Sequence, residues 1–431
     1  LKTSALLIRQ LALAGIGSLA FAALTPQSTL AAPAITLKAS FNGANGANPY
    51  AALTPAGNGL FYGTTVYGGD NNVGSIFEFD PSGSGSITLK ASFDGTNGAK
   101  PESALTPAGN GLFYGTTVLG GGNGVGSIFE FDPSGGGSIT LKASFDGANG
   151  KYPFAALTPA GNGLFYGTAY GGDNDLGSIF EFDPSGGGSI TLKASFDGAN
   201  GAIPYAALTP AGNGLFYGTT VYGGDNDLGS IFEFDPSGNG SITLKASFEG
   251  TNGATPYAAL TPAGNGLYYG TAYSGGDMDV GSIFEFDPSG VGSITLKASF
   301  DKANGAYPFE PLTPAGNGLF YGTTVNGGDN YVGTIFEFDP SGTGSITLKA
   351  SFSPLPSPPS GQLIQASNGK FFGTTSQGGE FGVGTIYAFD PTPGASVPGP
   401  LPLMGAAAAF GWSRRLRLRI QQVRPVFPIG R

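Results

Sequence analysis

The 431-residue chain contains no cysteine and no histidine. That excludes disulfides, thiolate zinc sites, cysteine nucleophiles and any catalytic triad built on an imidazole. Tryptophan is nearly absent, the single copy being Trp412. Charge is scarce and segregated. All 29 acidic residues fall between Asp70 and Asp390, whereas Lys2 and Arg9 precede this body and six arginines from Arg414 to Arg431 follow it. Residues 35–391 therefore carry 11 basic and 29 acidic groups, a net charge of −18. Nucleic acids and anionic bilayers bind through clustered Lys and Arg, which this body lacks. No nucleic-acid partner is expected, and membrane contact is expected only through the terminal segments.

Glycine and proline, at 77 and 32 residues, reach a level seen in low-complexity chains. Hydrophobic residues nevertheless make up 40% and aromatics 12%, and they recur in strict register. The string ITLKASF begins at Ile35, Ile87, Ile139, Ile190, Ile242, Ile294 and Ile346. Units of about 52 residues that share one core form one architecture rather than several domains.

Each unit holds four short segments separated by turn signals. In the first they are Tyr50–Thr54, Leu60–Val66, Ser75–Asp80 and Ile87–Phe93, named a, b, c and d. In d, Ile87, Leu89, Ala91 and Phe93 alternate with Thr88, Lys90 and Ser92, a period of two that indicates strands. The turns Thr54-Pro55-Ala56-Gly57-Asn58-Gly59 and Asp80-Pro81-Ser82-Gly83 place Pro and Gly where tight turns favour them. Helix signals are absent from the repeats. Four strands in about 52 residues fit a propeller blade. WD40 and kelch repeats proper are excluded by the missing tryptophan.

The repeat count is offset. One d segment, Ile35–Phe41, precedes the first a segment, while the last unit has a (Leu363–Ala366), b (Phe371–Thr375) and c (Thr385–Phe389) but no d. A ring closed by pairing the front segment with the last c would satisfy an otherwise exposed edge. The expected fold is an all-β, seven-bladed β-propeller with four antiparallel strands per blade, closed by strand 35–41 joining the last blade.

The core of the unit reads Leu60-Phe61-Tyr62-Gly63-Thr64-Thr65, then Gly68-Gly69, then Gly74-Ser75-Ile76-Phe77. It recurs in all seven blades and resembles the GloVer tandem repeat of bacterial secreted proteins. That resemblance implies an address outside the cell and brings no established ligand or reaction.

The ends agree with export. Residues 1–34 carry Lys2 and Arg9, an apolar run Leu11 to Leu24, and the small-residue stretch Ala31-Ala32-Pro33-Ala34, the pattern of a signal peptide. Residues 392–431 contain Val397, Pro398, Gly399 and Pro400, a 12-residue apolar run from Leu401, and a basic cluster beginning Arg414-Arg415. The run is too short for a spanning helix. This tail resembles the PEP-CTERM sorting signal read by exosortases, with Gly399 in place of its glutamate. The resemblance implies a sorting enzyme as partner and a cell-surface or extracellular location.

The blades differ from one another chiefly in the d–a and b–c connections, which an antiparallel blade places on one face of the disc. Loops on a rigid scaffold commonly carry binding residues. The candidates there are Tyr67, Asp70, Lys100, Tyr152, Tyr170, Tyr222, Tyr273, Tyr307 and Tyr331, with tyrosine and Asp/Asn suited to sugar rings. The pairs Asp173/Asp175, Asp225/Asp227 and Asp277/Asp279 offer oxygens to calcium, the one cofactor considered, and are also ordinary turn chemistry. Glu78 and Asp80 recur in most blades, which suggests scaffold rather than catalysis. The blade-specific acids Glu102, Glu310 and Glu380 are the better catalytic candidates. The expected function is a non-enzymatic exported protein binding glycan or surface protein through its variable face. Alternatives are a polysaccharide hydrolase or lyase and a purely structural matrix protein.

Overall fold

The computed structural model describes residues 34–353 and 358–392. The signal-peptide and sorting segments, with Val397, Pro398, Gly399, Pro400, Arg414 and Arg415, lie outside the described residues. Seven antiparallel sheets follow one another along the chain, with no α-helix among the described residues. Blade 1 runs in order through Thr54–Pro55 (a), Phe61–Thr65 (b), Ser75–Asp80 (c) and Ser86–Ser92 (d). Blades 2 to 6 repeat this plan, and blade 6 adds a short strand, Ala306–Pro308.

Blade 7 is completed from the front of the chain. Ala34–Ser40 pairs antiparallel with Thr385–Asp390, from Ala34 opposite Asp390 to Ser40 opposite Thr385, with a bulge between Leu37 and Ala39. The expected closure is therefore present. Strand a differs from expectation: of Tyr50–Thr54 only Thr54 enters the ladder, together with Pro55, and residues 50–53 run free of it. Carbonyls of this segment bond sideways instead. The Ala51 carbonyl accepts from Thr374 Oγ1 of blade 7 (3.3 Å), and in blade 2 the equivalent Ser103 and Leu105 carbonyls accept from Thr64 Oγ1 (3.0 Å) and Thr54 Oγ1 (3.0 Å) of blade 1. The same threonine stitching recurs at Thr106→Leu157, Thr158→Leu208, Thr209→Leu260, Thr261→Leu312 and Thr313→Leu363.

The core lies between blades, in seven clusters for seven interfaces. Tyr62 of blade 1 meets Phe113 and Phe131 of blade 2 edge-on, with ring centroids 5.3 and 5.2 Å apart. At the closing interface Phe372 takes that place against Phe61 and Phe79. Each such ring, removed from water, contributes about 1.5–3 kcal/mol. Gly63 and its equivalents have no side chain because the Phe77 ring lies across them; a Cβ at Gly63 would come within 2.4 Å of it.

The repeated acids serve this scaffold. Asp80 Oδ1 accepts from the Ser82 N–H (2.8 Å), a bond that holds its carboxyl below the usual range. Glu78 faces Lys90 across the c–d ladder at 3.9 Å, and its equivalent Glu337 accepts from the Tyr321 hydroxyl at 2.8 Å.

Candidate functional site

The d–a and b–c connections do share one face. Bridges join Ala47 to Tyr67, Ala99 to Leu119, Lys151 to Tyr170, Ala202 to Tyr222 and Ala254 to Ser274. The variable residue before each proline is a pivot. Asn48, Lys100, Tyr152, Ile203, Thr255 and Tyr307 all take positive φ, between 50° and 60°. Each donates its N–H to the b–c loop of the preceding blade, as Lys100 does to the Val73 carbonyl at 2.8 Å. β-Branched residues such as Ile203 and Thr255 rarely adopt this conformation, so the interblade bond holds the turn against local preference.

Many of the predicted loop acids are used within their own loops. Asp227 and Asp279 accept from the Gly223 and Gly275 N–H groups at 2.8 and 2.9 Å. Asp175 pairs with Lys151 at 2.6 Å. Asp173 and Asp225 accept from Ser195 and Ser247 hydroxyls, and the Asp70 and Asp277 N–H groups donate to Ser92 and Ser299 hydroxyls. Among the described residues no three carboxylates converge.

The predicted tyrosines divide. Tyr67 and Tyr273 line a central funnel, and Tyr307 stacks on Tyr273 with centroids 5.0 Å apart. Tyr170 packs edge-on against Phe154. The Tyr170, Tyr222 and Tyr273 hydroxyls are near enough to Tyr257 to oppose its ionisation, although its burial is the larger cause of its raised pKa. Lys100 lies over the Tyr67 ring, 5.2 Å from its centroid. Tyr152, itself a pivot, is half-buried, and Tyr331, 72% exposed, stands out on a b–c loop. Glu380 is exposed on the last b–c loop.

Sequence reasoning attended to the residue before each proline, whereas the residue after it faces the ring axis. That layer reads Tyr50, Glu102, Phe154, Tyr205, Tyr257, Phe309 and Ser360 around the seven blades. A cavity of about 220 Å³ lies among these residues, continuing into a mouth of about 750 Å³ on the variable face. The axis is lopsided. Phe154 stacks on Tyr205 (4.8 Å, 15°) and Tyr257 on Phe309 (4.8 Å, 25°), the two pairs meeting edge to face. These rings fill the side of blades 3 to 6. The open side is lined by Tyr50, 43% exposed, with Glu102, Ser360 and Gln377.

Two of the blade-specific acids meet here. Burial raises the Glu102 carboxyl, an effect that nearby Lys100 moderates. Glu310 replaces an alanine found in four other blades. Burial pushes it up to about 8, against a backbone hydrogen bond from Gln362 that favours the ionised form. Within the field of Glu310 is Tyr387, which stands where the other six blades have phenylalanine. The Tyr387 hydroxyl is fully buried without a hydrogen-bond partner; burial and then the charge of Glu310 hold it protonated. The unmatched letters after each proline were the available signal for this layer; nothing local to the sequence connected Tyr387 to Glu310.

The extracellular domain of a putative one-component system from B. thetaiotaomicron superposes with a TM-score of 0.54 at 12% identity, over 83% of this chain and 40% of that one. The chain thus spans about two fifths of that protein's length. A putative 6-phosphogluconolactonase from Bacteroides uniformis has a TM-score of 0.49 at 15% identity, over 73% of this chain and 88% of that one. Puromycin hydrolase has 0.48 at 13%, over 79% and 52%. At these identities the likeness concerns the fold alone. No curated protein matches the chain. The Gloeobacter/Verrucomicrobia repeat is matched by residues 23–212 and again by residues 168–387, and with both matches spanning nearly all of the ring, the chain belongs to that repeat family.

Proposed function

We propose that this is an exported propeller, at the cell surface or outside the cell, that binds a glycan without turning it over. The supporting observation is the funnel on the variable face, about 750 Å³ and lined by Tyr50, Tyr67, Tyr257, Tyr273 and Phe309 with two carboxyl groups at its base. Its size is that of ordinary ligand pockets. Aromatic faces stack on the apolar face of a sugar ring while carboxyl, hydroxyl and amide groups bond its hydroxyls. Export rests on the signal-like start and the sorting-like tail, which would bring a sorting enzyme as partner. Among the described residues no helix is long and apolar enough to cross a membrane.

A glycan array followed by calorimetry tests this reading. Binding without new reducing ends supports it, and Tyr50→Ala should weaken the binding by about tenfold or more, the scale of one lost stacking ring. No binding to any glycan would remove it in favour of a structural matrix role. A second reading is favoured by the pairing of Glu102 and Glu310, non-repeated acids in one cavity with raised pKa values, as a polysaccharide hydrolase requires of its proton donor. Appearance of new reducing ends, lost in Glu310→Gln, would establish that reading instead.

A further inference from the structure

We infer that the funnel recognises an amino sugar by its free ammonium group, seated among Tyr50, Tyr205, Tyr257 and Phe309 against the carboxyl groups of Glu310 and Glu102. This inference rests on the glycan-binding reading above and names the class of glycan. Four observations converge on it.

First, neither carboxyl group forms an ion pair among the described residues, whereas the scaffold glutamates at 78, 130, 181, 233, 285 and 337 all face a lysine. Lys100 reaches Glu102 only through its field and lies instead over Tyr67. A half-buried carboxyl without a counter-charge is poorly solvated, and an arriving cation supplies what is missing.

Second, aromatic rings present negative faces, and a cage of them attracts ammonium groups. Tyr50, Tyr205, Tyr257 and Phe309 line the same cavity as Glu102 and Glu310, so the rings and the acids enclose one space. Third, the buried Tyr387 hydroxyl lacks a hydrogen-bond partner and lies within the field of Glu310, so the interior near that carboxyl supplies no compensating positive group. Fourth, a ring with a net charge of −18 concentrates cations around it and repels anionic glycans.

The groups facing Glu310 set the proton balance. They are Tyr387, Tyr205 with Glu102 beyond it, and the Gln362 N–H. None carries positive charge, so the free protein holds the Glu310 proton at neutral pH. An ammonium group stabilises the carboxylate, and binding then expels the proton to solvent. Affinity for a permanent cation therefore rises with pH up to about 8 and levels off above it.

The test is titration calorimetry of the full chain at about pH 5.5, where the sugar amines are ammonium groups, with a glucosamine tetramer and with a glucose tetramer of the same linkage, in which hydroxyl replaces ammonium. The aminated tetramer should bind at least about tenfold tighter, the scale of one charge-assisted hydrogen bond. Its heat should vary with the ionisation enthalpy of the buffer, reporting proton release. Glu310→Gln should abolish both the preference and the buffer dependence, with a cooperative calorimetric melt of the variant as the check on folding. Equal binding of the two tetramers overturns the ammonium inference and leaves the glycan reading standing; failure of both to bind, with no hit on the array, removes both. An oligolysine peptide that binds as tightly as the aminated tetramer, and is lost in Glu310→Gln, would overturn the sugar in favour of a protein amine.

Discussion

Replacing Glu310 by glutamine should change how stability depends on pH, in a direction fixed by its place in the fold. Burial raises its carboxyl from the ordinary 4.5 to about 8. The folded chain therefore keeps a proton that the unfolded chain releases above pH 4.5. Stability is unaffected by this group below pH 4.5, declines as pH rises from there to about 8, and is flat beyond. At about 1.36 kcal/mol per pH unit the full difference is about 5 kcal/mol. The residue Glu310 is only half-buried by surface area, at the edge of the funnel, which reduces this to about 2–4 kcal/mol. A body of roughly 360 residues at about 2.1 cal/mol/K per residue has an unfolding entropy of about 0.75 kcal/mol/K. Wild-type Tm should thus fall by about 3–5 °C between pH 5 and pH 8.5 relative to Glu310→Gln, whose amide cannot titrate. Differential scanning calorimetry of both chains across that range measures it. Asp80 and its equivalents have lowered carboxyls and act below pH 4, outside the window. Parallel Tm curves for the two chains would refute the placement of Glu310 in a poorly solvated site.

Three further outcomes follow from single features. Tyr387→Phe removes a buried hydroxyl without a partner and restores the residue of the other six blades; it should stabilise by about 1–3 kcal/mol, raising Tm by about 1–4 °C, and a lower Tm would contradict this. Gly115→Ala places a Cβ within 2.3 Å of the Phe129 ring and should cost about 1–3 kcal/mol, measurable as a drop in denaturant midpoint. Removing Ala34–Ser40 strips the closing strand from Thr385–Asp390 and leaves a bare edge. Light scattering should then show concentration-dependent association, and a monomer of unchanged Tm would show that closure is dispensable.

Much of the fold was legible because it is written seven times. The period-two alternation of Ile87, Leu89, Ala91 and Phe93 marked the outer strand, and the orphan segment at Ile35 marked the closure. The inner strand was less legible. Tyr50–Leu53 has the composition of a strand, but its Ala51 carbonyl accepts from Thr374 of the neighbouring blade, as the equivalent Ser103 carbonyl accepts from Thr64, partners that no local pattern reveals. The candidate loop residues were found on the correct face, yet several of their side chains serve the loops themselves, as Asp227 does with Gly223.

By itself, the sequence determined the blade count, the closing strand and the face on which the blades vary, because repetition and strand period are local properties of the chain. Only the tertiary structure decided what stands at the axis. Tyr50 and Ser360 lie 310 positions apart in sequence, and Glu310 and Tyr387 belong to different blades. Ring closure brings each blade's inner strand to one centre, so residues distant in the chain share one low-dielectric space. That shared burial, rather than any motif, raises the Glu310 carboxyl and leaves the Tyr387 hydroxyl within its field without a partner.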